Sequence, residues 1–191
     1  MPLVLADAFV YRMENIELRG KSFRLYLPHE EILRSIDKVA ERINADYAGK
    51  QVVLLCVLNG AIMFTAELMK RLNIECELAS IKLKSYSGTR RADKVHAVTS
   101  LVGDVKGKNV IICEDIVDSG NSMEFLLEYL EGLGAADIKI CSMLFKPEMF
   151  TKSFKVDYIG KSIPNEFILG FGLDYEEFGR NYKDIYVINN Q

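Results

Sequence analysis

One short segment of the 191-residue chain combines acidic, hydroxylated and glycine residues in an order that suits phosphate and sugar chemistry. Three carboxylates follow the apolar run at 109–113 (NVIIC): Glu114, Asp115 and Asp118. Four small or polar residues come next, directly before a helical pattern: Ser119, Gly120, Asn121 and Ser122. Successive backbone N–H groups in such a turn can point toward one anion, and the positive end of the helix dipole favours it there. The segment therefore predicts a cradle for a phosphate monoester.

The two carboxylates that precede this cradle suit a sugar. Glu114 and Asp115 can accept hydrogen bonds from the vicinal hydroxyls of a ribose whose 5-phosphate occupies the cradle, while Asp118 faces the reacting side. Ordinary helix capping by an acidic residue and a serine is the alternative interpretation. It does not explain three carboxylates within five residues at the end of a buried strand, where they repel one another unless hydroxyls, cations or a cofactor bind. The pattern favours a binding site.

Two common nucleotide signatures are missing from the sequence. Nothing matches G-x-x-x-x-G-K-[ST], and the glycine pairs at 132–134 and 170–172 both lack the third glycine of the dinucleotide fingerprint. A Walker-type or NAD-type site is therefore not expected.

Composition narrows the class of protein further. Hydrophobic residues make up 49% of the chain, and 24 basic and 27 acidic residues give a net charge of −3, which is typical of a globular protein and gives no basis for general nucleic-acid binding. No run of 18 apolar residues predicts a membrane span. The four cysteines show no C-x-x-C spacing and are expected to be thiols, mostly buried: Cys56, Cys76, Cys113 and Cys141. We expect a cytoplasmic protein, because a reducing compartment keeps thiols free.

Hydrophobic periodicity predicts which elements position the acidic segment. Helices are predicted at 30–45, 62–72 and 123–130, and strands at 51–58, 75–83, 109–113 and 138–145. Residues 114–121 are predicted as a turn, and 84–102 as a long mobile excursion of the kind that forms lids. Beyond Lys146, short strand candidates at 156–159, 167–171 and 185–188 predict a cap on the sheet.

This alternation of strands and helices predicts an α/β fold with a doubly wound, mainly parallel sheet, and ligands at the carboxyl ends of its strands. We expect one domain over 1–191. Its core would span about 30–145, and a small hood would be built mainly from 146–191 with the N-terminal segment.

The acidic segment and its preceding strand resemble the ribose-phosphate motif of the type I phosphoribosyltransferases, and the likeness covers almost the whole chain from about Glu30. Residues 57–61 (VLNGA) resemble the diphosphate loop of that family, and 83–86 (LKSY) its catalytic lid. The stretches at 163–167 (IPNEF) and 172–175 (GLDY), with Lys146 and Arg180, are similar to its 6-oxopurine branch.

The resemblance implies a magnesium-dependent enzyme of purine salvage that transfers the 5-phosphoribosyl group from 5-phosphoribosyl 1-diphosphate to hypoxanthine or guanine. It implies that Glu114 and Asp115 hold the ribose, Asp118 is the base near purine N7, and residues 118–122 hold the 5-phosphate. The diphosphate would be held by Leu58, Asn59, Gly60 and Arg180. The purine would be held by Lys146, Phe167 and Ile168. Ser85 and Tyr86 would belong to the lid, and Mg²⁺ would be held by Asp174, Glu114 and Asp115.

Two positions depart from many relatives. Asn59 stands where a basic residue is common, and Asn121 replaces a residue that is often Lys, which affects the expected diphosphate affinity and subunit contacts. We expect a cis or otherwise strained Leu58–Asn59 bond, because the resemblance places this turn where N–H groups face the diphosphate. We also expect a homo-oligomer, a dimer or a tetramer.

Three other functions were weighed. A regulator that senses the sugar diphosphate and binds nucleic acid is disfavoured by the net charge of −3 and by the presence of both Asp118 and Lys146. A phosphate-accepting receiver domain has no use for the Ser-Gly cradle. A transferase for adenine, orotate or uracil is disfavoured by Lys146 and Phe167.

Overall fold

The computed structural model describes residues 13–86, 94–97 and 99–189. In chain order its elements are β1 (Asn15–Leu18), β2 (Lys21–Leu27), α1 (His29–Asp46), β3 (Val52–Leu58), α2 (Ile62–Met69), β4 (Cys76–Tyr86), β5 (Lys94–Ala97), β6 (Asn109–Val117), α3 (Asn121–Gly132), β7 (Asp137–Phe145), β8 (Tyr158–Ser162), β9 (Ile168–Leu169) and β10 (Ile185–Ile188). Within these described ranges, the strands form a six-stranded sheet in the order β5-β4-β3-β6-β7-β8 and a four-stranded sheet in the order β1-β2-β10-β9.

The larger sheet is the predicted doubly wound α/β sheet. Strands β4, β3, β6, β7 and β8 run parallel, and β5 adds an antiparallel edge. The first six residues of β3 are buried, because α1 and α2 pack on one face of the sheet and α3 on the other. Parallel strands that are covered on both faces have continuous apolar sequences, so this part of the fold could be predicted from the sequence.

The central strand β6 is longer than predicted. It continues to Val117, so the prediction of a turn over 114–121 is wrong for its first four residues. The physical reason is pairing with β7, which continues through Glu114 opposite Ser142 and Val117 opposite Phe145. The two adjacent carboxylates therefore sit on a strand, where successive side chains point to opposite faces.

The prediction of an irregular segment from Lys84 is also wrong in part. Strand β4 extends to Tyr86 and pairs antiparallel with β5, with Leu83 opposite Ala97. Residues 87–93 and 98 of the predicted lid lie outside the described residues. The backbone of Ser85 and Tyr86 lies in β4, and their function in a lid stays a prediction.

The smaller sheet forms a hood in which the N-terminal hairpin β1-β2 pairs with β10, and β10 pairs with β9. Ile16, Phe23, Leu169 and Tyr186 form its core. Residues 146–191 were expected to build most of the hood, but β8 lies in the larger sheet, paired with β7. Among the helices of the described ranges, none is long and apolar enough to cross a membrane.

Candidate active site

The paired carboxylates lie at the carboxyl end of β6, the central strand of the larger sheet. Glu114 is buried, and burial raises its pKa well above the ordinary value, as does the neighbouring charge of Asp115. Burial also raises the pKa of Asp115, although the hydrogen bonds that its carboxylate accepts oppose the shift. The Ile116 backbone N–H donates one of these, to Asp115 Oδ1 at 2.9 Å. A buried acid beside a partly buried one is an arrangement that a ligand's hydroxyls or a cation would stabilise.

The predicted cradle forms where β6 leads into α3. A cavity of about 90 Å³ is lined by Glu114 and residues 116–123. Gly120 adopts a left-handed conformation, with φ of 87°, that turns the chain into the helix. The loop therefore has the form that the prediction requires, a glycine-containing turn lining a cavity at a helix N-terminus.

The segment after Lys146 fixes the shape of this turn from behind. A Cβ on Gly120 would lie 2.7 Å from Phe150 Cε2 and 2.7 Å from Lys152 Cγ, so only glycine fits. Lys152 Nζ in turn donates to Glu124 Oε2 of α3 at 2.7 Å. The alternative of ordinary capping is not what the structure shows, because Gly120 is the N-cap residue and no side chain caps α3.

Asp118 and Lys146 meet beside the cradle. The Lys146 ammonium lies 3.4 Å from Asp118 Oδ2 and donates to Asn165 Oδ1 at 3.2 Å. Lys146 is only 8% exposed, and its backbone N–H donates to Val117 O at 2.9 Å, which ties the end of β7 to the end of β6. A lone lysine is usually a solvated surface charge, but this one is buried and paired.

Phe167 presents an aromatic surface from the hood. Its side chain is 44% exposed although Ile168 beside it is buried. Tyr175 packs edge-on against the Phe167 ring at 5.6 Å between centroids, and Phe23 lies at 6.4 Å. An exposed ring held by other rings can stack on a flat ligand without losing much side-chain entropy.

The predicted diphosphate loop packs tightly between the carboxylates and the hood. The Leu58–Asn59 bond is cis, as predicted. The Gly60 α-carbon lies so close to Asp115 that a Cβ there would overlap the carboxylate, and a Cβ on Gly172 would overlap the Gly60 carbonyl oxygen. Close contacts at Gly60 and Gly172 thus bring together the predicted diphosphate loop, the end of β6 and the segment that follows β9.

Arg180 and Asp174 are paired with each other. Arg180 Nη2 lies 2.7 Å from Asp174 Oδ1 and 3.1 Å from Glu177 Oε2, and Nη1 donates to Gly172 O at 2.9 Å. The Glu177 backbone N–H donates to the other Asp174 oxygen at 2.7 Å. Burial raises the pKa of Asp115, and the positive charge of Arg180 is one of the smaller effects that oppose this rise.

The carboxylates supply hard oxygen donors of the kind Mg²⁺ prefers. Within the described ranges, no group of three His, Cys, Asp or Glu side chains is gathered to hold a metal. Asp174, Glu114 and Asp115 therefore do not form one cluster in the described part of the chain.

A larger cavity of about 340 Å³ lies at the opposite edge of the sheet, where the strands begin. Its Lys108 and Glu77 side chains pair with each other at 2.9 Å. We assign the functional site to the carboxyl ends because the acidic pair, the cradle and the exposed ring converge there, as the rule for open α/β sheets predicts.

The fold and the site define a class: doubly wound α/β proteins that bind a sugar phosphate at the end of a central strand. The family model described as phosphoribosyl transferase domain matches residues 25–176. A hypoxanthine-guanine phosphoribosyltransferase of Lactococcus lactis is 38% identical over 159 residues, covering 83% of this chain and 86% of that protein. One of Streptococcus pneumoniae is 34% identical over 169 residues, covering 88% and 94%.

Solved structures agree with the sequence comparisons. A hypoxanthine phosphoribosyltransferase of Trypanosoma cruzi superposes with a TM-score of 0.83 at 31% identity, covering 91% of this chain and 95% of that chain. One of Staphylococcus aureus gives 0.82 at 30% identity, covering 87% and 91%. The chain therefore belongs to the phosphoribosyl transferase family, on the branch of the hypoxanthine-guanine phosphoribosyltransferases.

Sequence reasoning missed four residues at this site. Asn165 contacts Lys146, Glu177 contacts Arg180, and Gly172 and Lys152 support the two loops. Asn165 and Gly172 lie in the stretches at 163–167 and 172–175 that resemble the family, but neither residue was given a role there. The others act through contacts that the spacing along the chain does not reveal.

Proposed function

We propose that the protein is a magnesium-dependent enzyme that transfers the 5-phosphoribosyl group from 5-phosphoribosyl 1-diphosphate to hypoxanthine or guanine, with IMP or GMP and diphosphate as products. One observation carries the proposal: a buried lysine and a carboxylate lie 3.4 Å apart beside a phosphate cradle. A 6-oxopurine with a proton on N7 offers a donor and, at O6, an acceptor on one edge. Asp118 and Lys146 supply the complementary pair.

The sugar diphosphate occupies the floor of the site. Residues 118–122 hold the 5-phosphate through backbone N–H groups, helped by the dipole of α3. Glu114 and Asp115 accept hydrogen bonds from the ribose hydroxyls. The two carboxylates are adjacent and largely withdrawn from solvent, so their negative charges repel each other. Hydrogen bonds from the ribose hydroxyls would offset this repulsion, which supports the assignment.

The purine lies between the hood and the sheet. Phe167 stacks on its face, Lys146 donates to O6, and the Ile168 backbone meets the far edge. Asp118 accepts the N7 proton as N9 attacks ribose C1 and the bond from C1 to the diphosphate breaks. The purine in the nucleotide product is therefore uncharged. Phe167 is half-exposed and braced by Tyr175, which supports a stacking role.

Breaking the bond from C1 to diphosphate builds positive charge on the ribose, as in glycoside chemistry. Leu58, Asn59, Gly60 and Arg180 hold the diphosphate. Asp174, Glu114 and Asp115 would hold Mg²⁺ together with substrate oxygens and water, and the ion would supply positive charge that stabilises the leaving diphosphate. Ser85 and Tyr86 belong to a lid that keeps water from the sugar cation.

The same proposal includes a cytoplasmic location and a homo-oligomer, a dimer or a tetramer. All four cysteines are free, as expected in a reducing compartment, and three of them are buried. Light scattering of the purified protein gives the oligomer size.

The direct test is product formation from each of hypoxanthine, guanine, xanthine and adenine with 5-phosphoribosyl 1-diphosphate, in the presence and absence of Mg²⁺. We expect IMP or GMP only with the metal. Absence of turnover with both hypoxanthine and guanine, together with salt-sensitive nucleic-acid binding, would replace the enzyme with the regulator considered above.

A further inference from the structure

The Lys146 ammonium has three N–H donors, and the structure assigns two of them. One faces Asp118 Oδ2 at 3.4 Å and one faces Asn165 Oδ1 at 3.2 Å. An ammonium group donates and cannot accept, so the amide oxygen of Asn165, and not its NH₂ group, must face Lys146. The orientation of the Asn165 side chain is therefore fixed by chemistry as well as by geometry.

Asn165 reaches Lys146 from a separate part of the chain. It lies 19 residues further on, in the segment that connects β8 to β9, and it is exposed, whereas Lys146 is 8% exposed. Asp118 belongs to the segment between β6 and α3. The ammonium is thus held between two acceptors on different elements, and the direction of its remaining N–H follows from where those two acceptors stand.

We propose that Asn165 is a positioning residue for base selection: its amide oxygen, with Asp118, directs the third N–H of Lys146 to the O6 acceptor of the purine. This inference rests on the proposed function, since it needs a 6-oxopurine in the site. Asp118 cannot do this alone, because it also receives the N7 proton and its contact with Lys146 is the longer of the two. Asn165 keeps the Lys146 ammonium oriented toward O6 while Asp118 accepts the N7 proton.

The role has a specific kinetic consequence. Asn165 touches neither the cradle nor the diphosphate loop through any hydrogen bond found among the described residues. Its loss should therefore raise KM for hypoxanthine and guanine and leave KM for 5-phosphoribosyl 1-diphosphate nearly constant. A residue that merely stabilised the hood would change both constants, or the melting temperature, together.

The experiment compares Asn165→Leu, which removes the acceptor at similar size, with Asn165→Asp, which keeps an oxygen facing Lys146. We expect Asn165→Leu to raise KM for hypoxanthine about tenfold, the scale of one hydrogen bond to a charged group. Asn165→Asp should restore most of the wild-type value. Glu166→Gln is the matched control for a change in the same segment, and the melting temperature of each variant verifies folding.

A double-mutant cycle separates this inference from the proposed function. Lys146→Met should itself raise KM for hypoxanthine, and Asn165→Leu should add nothing in that background. Unchanged KM in Asn165→Leu, equal increases for both substrates, or additive effects in the cycle would each overturn the role of Asn165 while the activity stands. If Lys146→Met also leaves KM for hypoxanthine unchanged, the proposed contact of Lys146 with the base fails, and Asn165 fails with it.

Discussion

Asp118 is the residue that the proposed chemistry uses most directly. It lies 3.4 Å from Lys146 and does not cap α3, so a purely structural explanation for it is weak. We expect Asp118→Asn to bind 5-phosphoribosyl 1-diphosphate almost as well as the wild type and to lower kcat with hypoxanthine by about 10²–10⁴-fold, the usual scale for a general base. Steady-state kinetics and calorimetric titration of the sugar diphosphate measure the two quantities. Wild-type turnover in this variant would reduce Asp118 to a spacer in the phosphate loop.

In the proposed function, Lys146 distinguishes an oxygen from an amino group at purine position 6. Adenine offers an amino donor there, so donor would face donor in a site from which water is excluded. The natural protein should prefer hypoxanthine over adenine by roughly 10⁴–10⁵ in kcat/KM, the scale for a hydrogen-bonding site without its partner. Lys146→Gln, whose amide can donate or accept, should narrow this ratio. Comparable use of adenine by the wild type would contradict the 6-oxopurine assignment, and an unchanged ratio in the variant would contradict the role of Lys146.

The sequence alone identified functional residues only where they are neighbours along the chain. Residues 114–122 form a continuous stretch at the end of a strand, so their types and order were enough to predict a phosphate and ribose site. Lys146 and Phe167 were assigned only through resemblance, because one lysine or one phenylalanine has no local signature. Asn165 was not predicted, since its partner lies 19 residues away.

At the scale of elements, two acidic residues of the turn from Asp174 to Arg180 bind the arginine at its end. Two acidic oxygens face Nη2 of Arg180, and Asp174 is fixed by the Glu177 backbone N–H, whereas the Glu177 side chain is 77% exposed. If Arg180 binds a diphosphate as proposed, Glu177 is the partner that the diphosphate would displace. We expect Glu177→Gln to lower Kd for diphosphate about two- to fivefold, the size of an exposed ion pair.

Glu176→Gln is the matched control for this change. It removes the same charge from the neighbouring position, where the carboxylate pairs with Arg19 at 3.0 Å instead. Isothermal titration with diphosphate and Mg²⁺ compares the variants at one ionic strength. Equal tightening in both would mean that net charge, and not release of Arg180, governs the affinity.

The contact between the diphosphate loop and the hood depends on the backbone of Gly172. Its φ is 99°, and a Cβ there would overlap the Gly60 carbonyl oxygen. Gly172→Ala should lower the free energy of unfolding for two reasons. A residue with a Cβ in a left-handed conformation costs about 1–2 kcal/mol, and the steric overlap with Gly60 costs about 1–3 kcal/mol more. Gly49→Ala separates the two terms, because Gly49 has φ of 73° and nothing within 4 Å of its Cβ position. Urea denaturation of both variants gives the difference, and equal losses would show that the close approach is unimportant.

At the scale of the whole molecule, the sequence predicted the larger sheet well and the hood in part. Strands β3, β6 and β7 are covered by helices on both faces and show as apolar runs at 52–58, 109–113 and 138–145. In the hood, the strand candidates at 167–171 and 185–188 contain β9 and β10. Strand β2 was not predicted, and β1, with four residues, is too short for a periodic pattern to stand out. β8 was expected in the cap because short strands after a Pro-containing segment give no indication of which sheet they join.

The active site also affects the stability of the whole fold. Burial and the charge of Asp115 raise the pKa of Glu114 well above the ordinary value of 4.5. Between the unfolded and the folded pKa the native state binds more protons than the unfolded state, so the free energy of unfolding falls as pH rises. Below the unfolded pKa both states are protonated and the penalty vanishes. The carboxylate pair therefore opposes folding at neutral pH in the absence of ligand.

Glu114→Gln removes this penalty, since a neutral amide can donate to Asp115 in place of a second buried charge. We expect the ligand-free variant to be more stable than the wild type at pH 7.5 by on the order of 1–3 kcal/mol, the desolvation penalty of a buried polar group. The difference should shrink to zero as pH falls toward 4.5. Urea midpoints measured from pH 4.5 to 8 test this, with Glu128→Gln on the exposed side of α3 as the control. Because the same substitution removes an acceptor for the ribose, turnover should fall while stability rises; parallel stability curves for wild type and variant would show that Glu114 carries no such penalty.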